Sequence, residues 1–345
     1  IFTLPASAAA PGKVPAYLEA KDWLIACDNA RRCDARGFSD DHQGTEMIIT
    51  RDAGPNAWPR IVLESMGPLP PDNATLDGKP FALPKTVKSG VFDKDTPGSD
   101  TLAVDGQAAV DLLKQLRNGT KLSFGAPKGD TDPSVSLSGL AAVMLTMDDV
   151  QGRIGTETAV ARPGTAKAAG VPPAPPLPTA GKGAPPPAKP FSGAEAAALV
   201  KALRNSPLMK QADCDGGIDK PEDSASKLTD HLGVVMLECL RGAYQSSDLV
   251  LLVTDGKAST AKQLTLPVPL QKDPVDLFGN AAFDAGTATL STSAKGRGLA
   301  DCGMSASWIF DGKGFVLQSY NRQDKCGGIE PGDWPVLLRV AGALR

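Results

Sequence analysis

Short apolar runs broken by glycine, proline and Asx-Gly pairs dominate this chain, and long amphipathic stretches are few. Residues 22–66 hold three such runs, DWLIACDN, TEMIITRD and RIVLESM. All are rich in β-branched or apolar residues, and the last two are separated by Gly54-Pro55, which predicts strands. Asp77-Gly78 is a turn signal before FALP. Residues 105–118 change period: Ala109, Leu112, Leu113 and Leu116 fall at helical spacing, and Asn118-Gly119 is a stop signal. KLSFGA returns to strand character. SVSLSGLAAVMLTMDDV begins as an alternating strand and becomes continuously apolar, consistent with a helical end.

Residues 158–190 are rich in Pro, Ala, Gly and Thr and almost lack large apolar side chains, so they predict a solvated linker that forms no core. Its charges, Arg162, Lys167, Lys182 and Lys189, are all positive. Ser192 and Glu195 then form a capping box ahead of a helix with Leu199, Val200 and Leu203 on its apolar stripe. From Leu232 onward the runs are again strand-like: LGVVMLECL, DLVLLVTD, KQLTLPV, ATLSTS, SASWIFDG, GFVLQSY and PVLLRV. Turns are marked at Asp255-Gly256 and, most clearly, at Asp311-Gly312. The pattern predicts a β-rich, two-domain protein. Residues 1–13 are a tail, residues 14–157 an antiparallel β-sandwich-like domain with one or two helices, and residues 158–190 a Pro-rich linker. Residues 191–345 form an α+β domain with an antiparallel sheet.

Composition changes this picture in two respects. At 345 residues with a formal charge of −3, the chain has neither the basic balance nor the basic-aromatic stripe of a nucleic-acid binder. Nothing reaches the roughly 18 apolar residues of a membrane span. The six cysteines, Cys27, Cys33, Cys214, Cys239, Cys302 and Cys326, have no CxxC spacing, and neither His42 nor His231 stands at ligand spacing to one. Disulfides are therefore expected rather than a metal, and no cofactor motif is present. Sequence admits fifteen pairings. Pairing neighbours is the simplest, because each bridge then lies inside one candidate domain. Ala6-Ser7-Ala8 fits the end of a secretory signal peptide, which with the cysteines points to the periplasm or the exterior.

Candidate chemistry is sparse. Gly303–Ser307 approaches G-x-S-x-G, but Ser307 replaces the second glycine and β-branched and aromatic residues follow instead of a helix. Cys239 lies eight residues after His231, yet an even cysteine count in an exported chain favours a bridge over a nucleophile. Residues 93–100 mimic the start of a calcium loop, with Pro97 at a ligand position and Val104 where a glutamate is required. Asp213, Asp215, Asp219, Glu222 and Asp223 form an acidic stretch that reads as a solvated loop. Trp308, Phe310, Phe315 and Tyr320 sit in one hairpin with Trp334 nearby, a core in preference to a recognition face. The candidate ligand contacts are Lys295, Arg297 and Arg322, which a Gly296/Gly298 turn can gather around an anion. The competing reading pairs Arg297 with Asp301 or Asp311.

The blocks DWLIACDNARRCDARGF, CLRGAYQ, KGRGLADCG, WIFDGKGFVL and WPVLLRV together resemble an uncharacterised family of secreted proteobacterial proteins, the domain of unknown function numbered eleven-seventy-six. The resemblance implies an envelope or periplasmic location in a Gram-negative bacterium and implies no reaction. Residues 104–126 and 134–149 are similar to the invasion-associated locus B family. That likeness implies a secreted, β-sandwich-like domain acting at the bacterial surface. A cysteine pair expected in that family between Pro80 and Asp105 is missing here. The expected function is a non-enzymatic envelope module with a protein or glycan partner. The rivals are an inhibitor of lysozyme-like enzymes and a carboxylate-based hydrolase of cell-wall glycans, which needs two carboxyl groups roughly 5–10 Å apart in a cleft.

Overall fold

The computed structural model describes residues 12–39, 44–92, 94, 99–126, 132–215, 217–329 and 331–342. Most of residues 1–13, His42, and the greater part of the 93–100 loop fall outside them. The chain divides into two compact units, Ile1–Leu177 with Lys325–Leu337, and Pro178–Asp324 with Leu338–Arg345.

The first unit is built on a seven-stranded antiparallel sheet. Its strands lie side by side in the order Ala16–Ala20, Trp23–Cys27, Cys33–Phe38, Thr45–Arg51, Arg60–Ser65, Asp100–Asp105 and Lys88–Val91. Period-two alternation sends Trp23, Ile25, Ala35, Met47, Ile49, Ile61, Leu63, Leu102 and Val104 to one face. There they meet the helices Gly106–Leu116 and Leu140–Val150. The helical residues read from the sequence, Ala109, Leu112, Leu113 and Leu116, are all buried in this core. A four-stranded sheet of Ser134–Ser136, Lys121–Ser123, Thr75–Leu76 and Lys79–Pro80 adjoins it. Asp77-Gly78 makes the tight hairpin expected of it, with φ of 52° and 76°.

In the second unit, helix Gly193–Arg204 carries the capping box, with both Ser192–Glu195 hydrogen bonds formed. It lays Leu199 and Leu203 on strands Leu232–Arg241 and Ser246–Thr254. A second sheet runs through successive hairpins Ala282–Asp284, Thr289–Lys295, Gly303–Phe310 and Phe315–Gln323. The Asp311-Gly312 turn closes the last of them, with Asp311 Oδ1 accepting the Lys313 and Gly314 N–H groups. Trp308, Phe310 and Tyr320 are buried, and Trp308 meets Phe278 edge-on at 5.8 Å. The hairpin aromatics are core.

Two expectations need correction. The Pro-rich segment does not stand free of both units. Val160 and Ala161 donate to Asp148, and Val171 is buried in the first unit. Gly181 donates to Gln318 Oε1 and Ala184 to the Phe310 carbonyl in the second. The segment is held by these backbone hydrogen bonds together with a few buried apolar side chains, Val160 and Val171 among them. Residues after 190 are also not one body, because Lys325–Leu337 belongs to the first unit.

The disulfides Cys27–Cys33 and Cys214–Cys239 are formed, and Cys302 and Cys326 are disulfide-bonded as well, so no cysteine is free. Cys27–Cys33 clamps a hairpin in which the two residues face each other across the ladder. For separations of 6 and 25 residues, loop closure stabilises by about 2 and about 3.5 kcal/mol respectively. Thiol titration of the denatured, unreduced chain is expected to find no reactive thiol, and a stoichiometric signal would contradict the bonding described.

Candidate binding surface

Strands Leu232–Arg241 and Ser246–Thr254 are joined by a tight tip, closed by the Gly242 N–H donating to the Gln245 carbonyl at 2.8 Å. The Gln245 side chain then acts as a short strand. Its Oε1 accepts the Lys295 N–H at 2.8 Å and its Nε2 donates to the Lys295 carbonyl at 3.1 Å. This amide clasp ties the tip to the loop 296–302. The loop closes on itself through the Gly296 N–H and the Cys302 carbonyl.

Tyr244 lies on that loop. A Cβ at Gly298 would meet its ring at 3.0 Å, so the missing side chain is what lets the ring rest on backbone. Even so, Tyr244 is 72% exposed, and Leu299 beside it is 66% exposed. An aromatic ring supported on one side and open on the other is an anchor whose ordering entropy is already spent. The cations around it are equally fixed. Arg297 makes a bidentate pair with Asp301, Nε to Oδ1 at 2.8 Å, as one of the two sequence readings expected. Arg241 makes another with Glu238. Hydrogen bonding to these carboxylates raises the pKa of both arginines, and the Arg241 hydrogen bonds hold Glu238 below the usual carboxylate range.

The three basic candidates are not brought to one point. Lys295 shares a cross-strand row with Gly303 and Gln323, whereas Arg322 lies in the neighbouring row with Met304 and Ala294. Adjacent rows face opposite sides of a sheet. Arg322 is also bonded to Asp324, with Nε to Oδ1 at 2.8 Å. Lys295 borders loop 296–302 and Arg297 lies within it, whereas Arg322 does not share the Lys295 row. Tyr244 and Leu299 were not singled out in the sequence. The available signal was an aromatic residue placed inside a hairpin tip, where packing gives it no reason to be.

The remaining constellations resolve into structure. Ser305 and Ser307 lie in strand Gly303–Phe310, with Ser307 Oγ 2.6 Å from Ser319 Oγ. Cys239 is bridged to Cys214. In the acidic stretch, Asp223 takes a bidentate contact from Arg204, and Asp215 accepts the Gly217 N–H. Glu238 and Asp248 face each other across the ladder but are only 2% and 5% exposed. Burial pushes Asp248 up to about 6. His231 Nδ1 stands 2.8 Å from Asp255 Oδ1 on a groove of about 570 Å³ beside helix Gly193–Arg204. Besides the pair, Phe191, Glu195, Leu199, Lys227 and Asp230 line that groove.

Antiparallel sheets in two units and oxidised cysteines define a disulfide-linked, β-rich protein. Its residues 17–341 match the family described as "Protein of unknown function (DUF1176)", and the chain belongs to that family. It is 32% identical over 337 residues to "Uncharacterized protein YpfG" of Escherichia coli (strain K12), covering 94% of this chain and 92% of that one. No solved structure matches. The likeness to the invasion-associated locus B family rests on the quoted sequence blocks alone and is carried no further.

Proposed function

We propose that the protein is a non-enzymatic binding module of the periplasm or cell exterior. In this reading it engages an envelope protein or glycan through Tyr244, Leu299 and Arg297, with Lys295 and Arg241 at the rim. The observation that carries this reading is the Tyr244 ring, seated on Gly298 and otherwise open to solvent. Exposed Tyr and Arg held in fixed geometry are the residue types that dominate binding energy at interfaces. Disulfides throughout are compatible with an oxidising compartment. No helix among the described residues is long and apolar enough to cross a membrane.

The test is a cross-linking pull-down from intact envelope. Tyr244→Ala with Leu299→Ala is expected to weaken partner binding by about 30-fold, the equivalent of about 2 kcal/mol at a binding hot spot. Lys295→Ala with Arg297→Ala is expected to weaken it less, since rim charges act mainly on association rate. Recovery of the same partners in the same yield by all three proteins would discard the surface. A parallel column of immobilised lysozyme separates the inhibitor reading, which requires retention there.

A further inference from the structure

Two arginines are enclosed in the first unit, Arg51 at the end of strand Thr45–Arg51 and Arg153 just after helix Leu140–Val150. They are 1% and 0% exposed. The hydrogen bonds they make among the described residues go to neutral acceptors. Arg51 donates from Nε to the Ala57 carbonyl at 3.1 Å and from Nη1 to the Thr158 carbonyl at 3.0 Å. Arg153 donates from Nε to Gln151 Oε1 at 2.8 Å, from Nη1 to Thr158 Oγ1 at 3.2 Å and from Nη2 to the Gly54 carbonyl at 2.6 Å. Asp148 supplies negative charge, but its oxygens accept the Val160 and Ala161 N–H groups. Arg51 Nη1 stands 3.9 Å from it, in ion-pair range and beyond a hydrogen bond. Arg51 Nη2 is buried and has no hydrogen-bond partner among the described residues. The two guanidinium groups are also fixed together. Thr158 receives both, and Gln151 Nε2 donates to the Arg51 carbonyl at 2.9 Å while its Oε1 holds Arg153.

We propose that this enclosed arginine pair is the binding site of a small monovalent anion of the halide class, seated on the Arg51 Nη2–H group. The anion balances the guanidinium charge that Asp148 leaves over. Buried charges are retained where they are matched in sign and their remaining donors are bonded. Two guanidinium groups and one carboxylate leave a single positive charge, so the matching occupant carries a single negative one. A water molecule at Nη2 would satisfy the N–H and leave that charge unbalanced. Desolvation cost grows with the square of an ion's charge, so sulfate or phosphate loses far more on entry than chloride or bromide. A single-atom anion also asks least of a site whose arginines are this deeply enclosed. Burial lowers the pKa of both arginines, and Arg153 lowers that of Arg51 further, the direction of a pair short of negative charge. The site belongs to a different unit from Tyr244 and does not depend on the surface proposed there.

Urea denaturation of the full chain tests this after dialysis into sodium gluconate, with sodium chloride or bromide replacing gluconate at constant ionic strength. Above its dissociation constant, an anion held only by the folded state raises the folded-to-unfolded ratio about tenfold for each tenfold in concentration. The wild type is expected to show that dependence for both halides. Arg51→Met removes the seat and the excess charge together and should abolish it, whereas salt effects on general surface hydration would act on both proteins alike. Crystals grown in bromide give a second readout, with anomalous scattering expected at hydrogen-bonding distance from Arg51 Nη2. Equal urea midpoints in gluconate, chloride and bromide would overturn the proposal, as would a halide dependence that survives in Arg51→Met. If Arg51→Met does not fold, diffraction decides alone, and bromide found only on the protein exterior, or water at Nη2, overturns it equally.

Discussion

Replacing Asp148 with asparagine is expected to destabilise the protein by about 3–5 kcal/mol, the usual result of removing one partner from a buried ion pair. Asp148 and Arg51 are fully buried and 3.9 Å apart. Arg153, also buried, lies in the same network, with Nε on Gln151 Oε1 and Nη2 on the Gly54 carbonyl. Two guanidinium charges are thus held in the interior with one carboxylate. Burial, with Arg153 beside it, drives Arg51 down to about 9, and burial drives Arg153 to about 10. Both values are depressed, so the cost of holding these charges is fully present at neutral pH and is relieved only as pH rises through 9 to 10. Removing the carboxylate leaves that cost uncompensated. It also weakens the anchor for the Val160 and Ala161 N–H groups, at 2.9 and 2.7 Å, that hold the start of the Pro-rich segment. Urea denaturation at pH 7 measures the loss. Adding Arg51→Met should recover part of it, because a neutral interior is cheaper than an unpaired charge. A single substitution with an unchanged midpoint would show that Asp148 does not neutralise the pair.

Local signals carried most of the secondary structure. Asp77-Gly78 and Asp255-Gly256 are turns because adjacent positive φ angles suit these residues, and at Asp311-Gly312 the glycine alone takes positive φ while the Asp311 carboxylate caps the turn, preferences written in two letters of sequence. The Ser192–Glu195 box and the Cys27–Cys33 hairpin are equally short-range. What escaped depends on partners far along the chain. Asp148 reads as a polar residue near a helix end, yet it is buried because Arg51, 97 positions earlier, comes to it. Arg36 sits in a strand pattern, yet it is buried among Asp34, Glu46 and Asp333, and no periodicity connects the last of these to it. The proposed surface shows the same limit. Lys295 and Arg297 announce themselves by charge among glycines. Tyr244 becomes an anchor only when loop 296–302 is folded beneath it. Arg322 was misplaced by a parity effect. The register puts it one row away from Lys295, and one row reverses the face.

The second large effect is expected at Gly139. This residue precedes helix Leu140–Val150 with φ 108°, and a Cβ there would lie 1.9 Å from the Ala20 carbonyl oxygen and 3.3 Å from Trp23 Cβ. Neither neighbour is a flexible side-chain tip that can swing aside. Ala20 ends the edge strand of the large sheet. The following turn is tied to residues 136–139 by the Asp22 N–H on the Ser138 carbonyl and by the Trp23 indole N–H on the Ser136 carbonyl at 2.8 Å. Gly139→Ala therefore forces either the helix or the hairpin to move. The left-handed backbone contributes about 1–2 kcal/mol and the steric overlap at least a further 1–3 kcal/mol. Against a typical total of about 5–15 kcal/mol, that leaves a measurable unfolded fraction. Gly78→Ala supplies the reference, since Gly78 has φ 76° but nothing within 4 Å of an added Cβ. It should lose only the backbone part, about 1–2 kcal/mol. The difference between the two variants in urea denaturation isolates the contact between the start of helix Leu140–Val150 and the first hairpin. Equal losses in both would mean that this contact gives way freely, and that the helix is not seated on the sheet by its first residues.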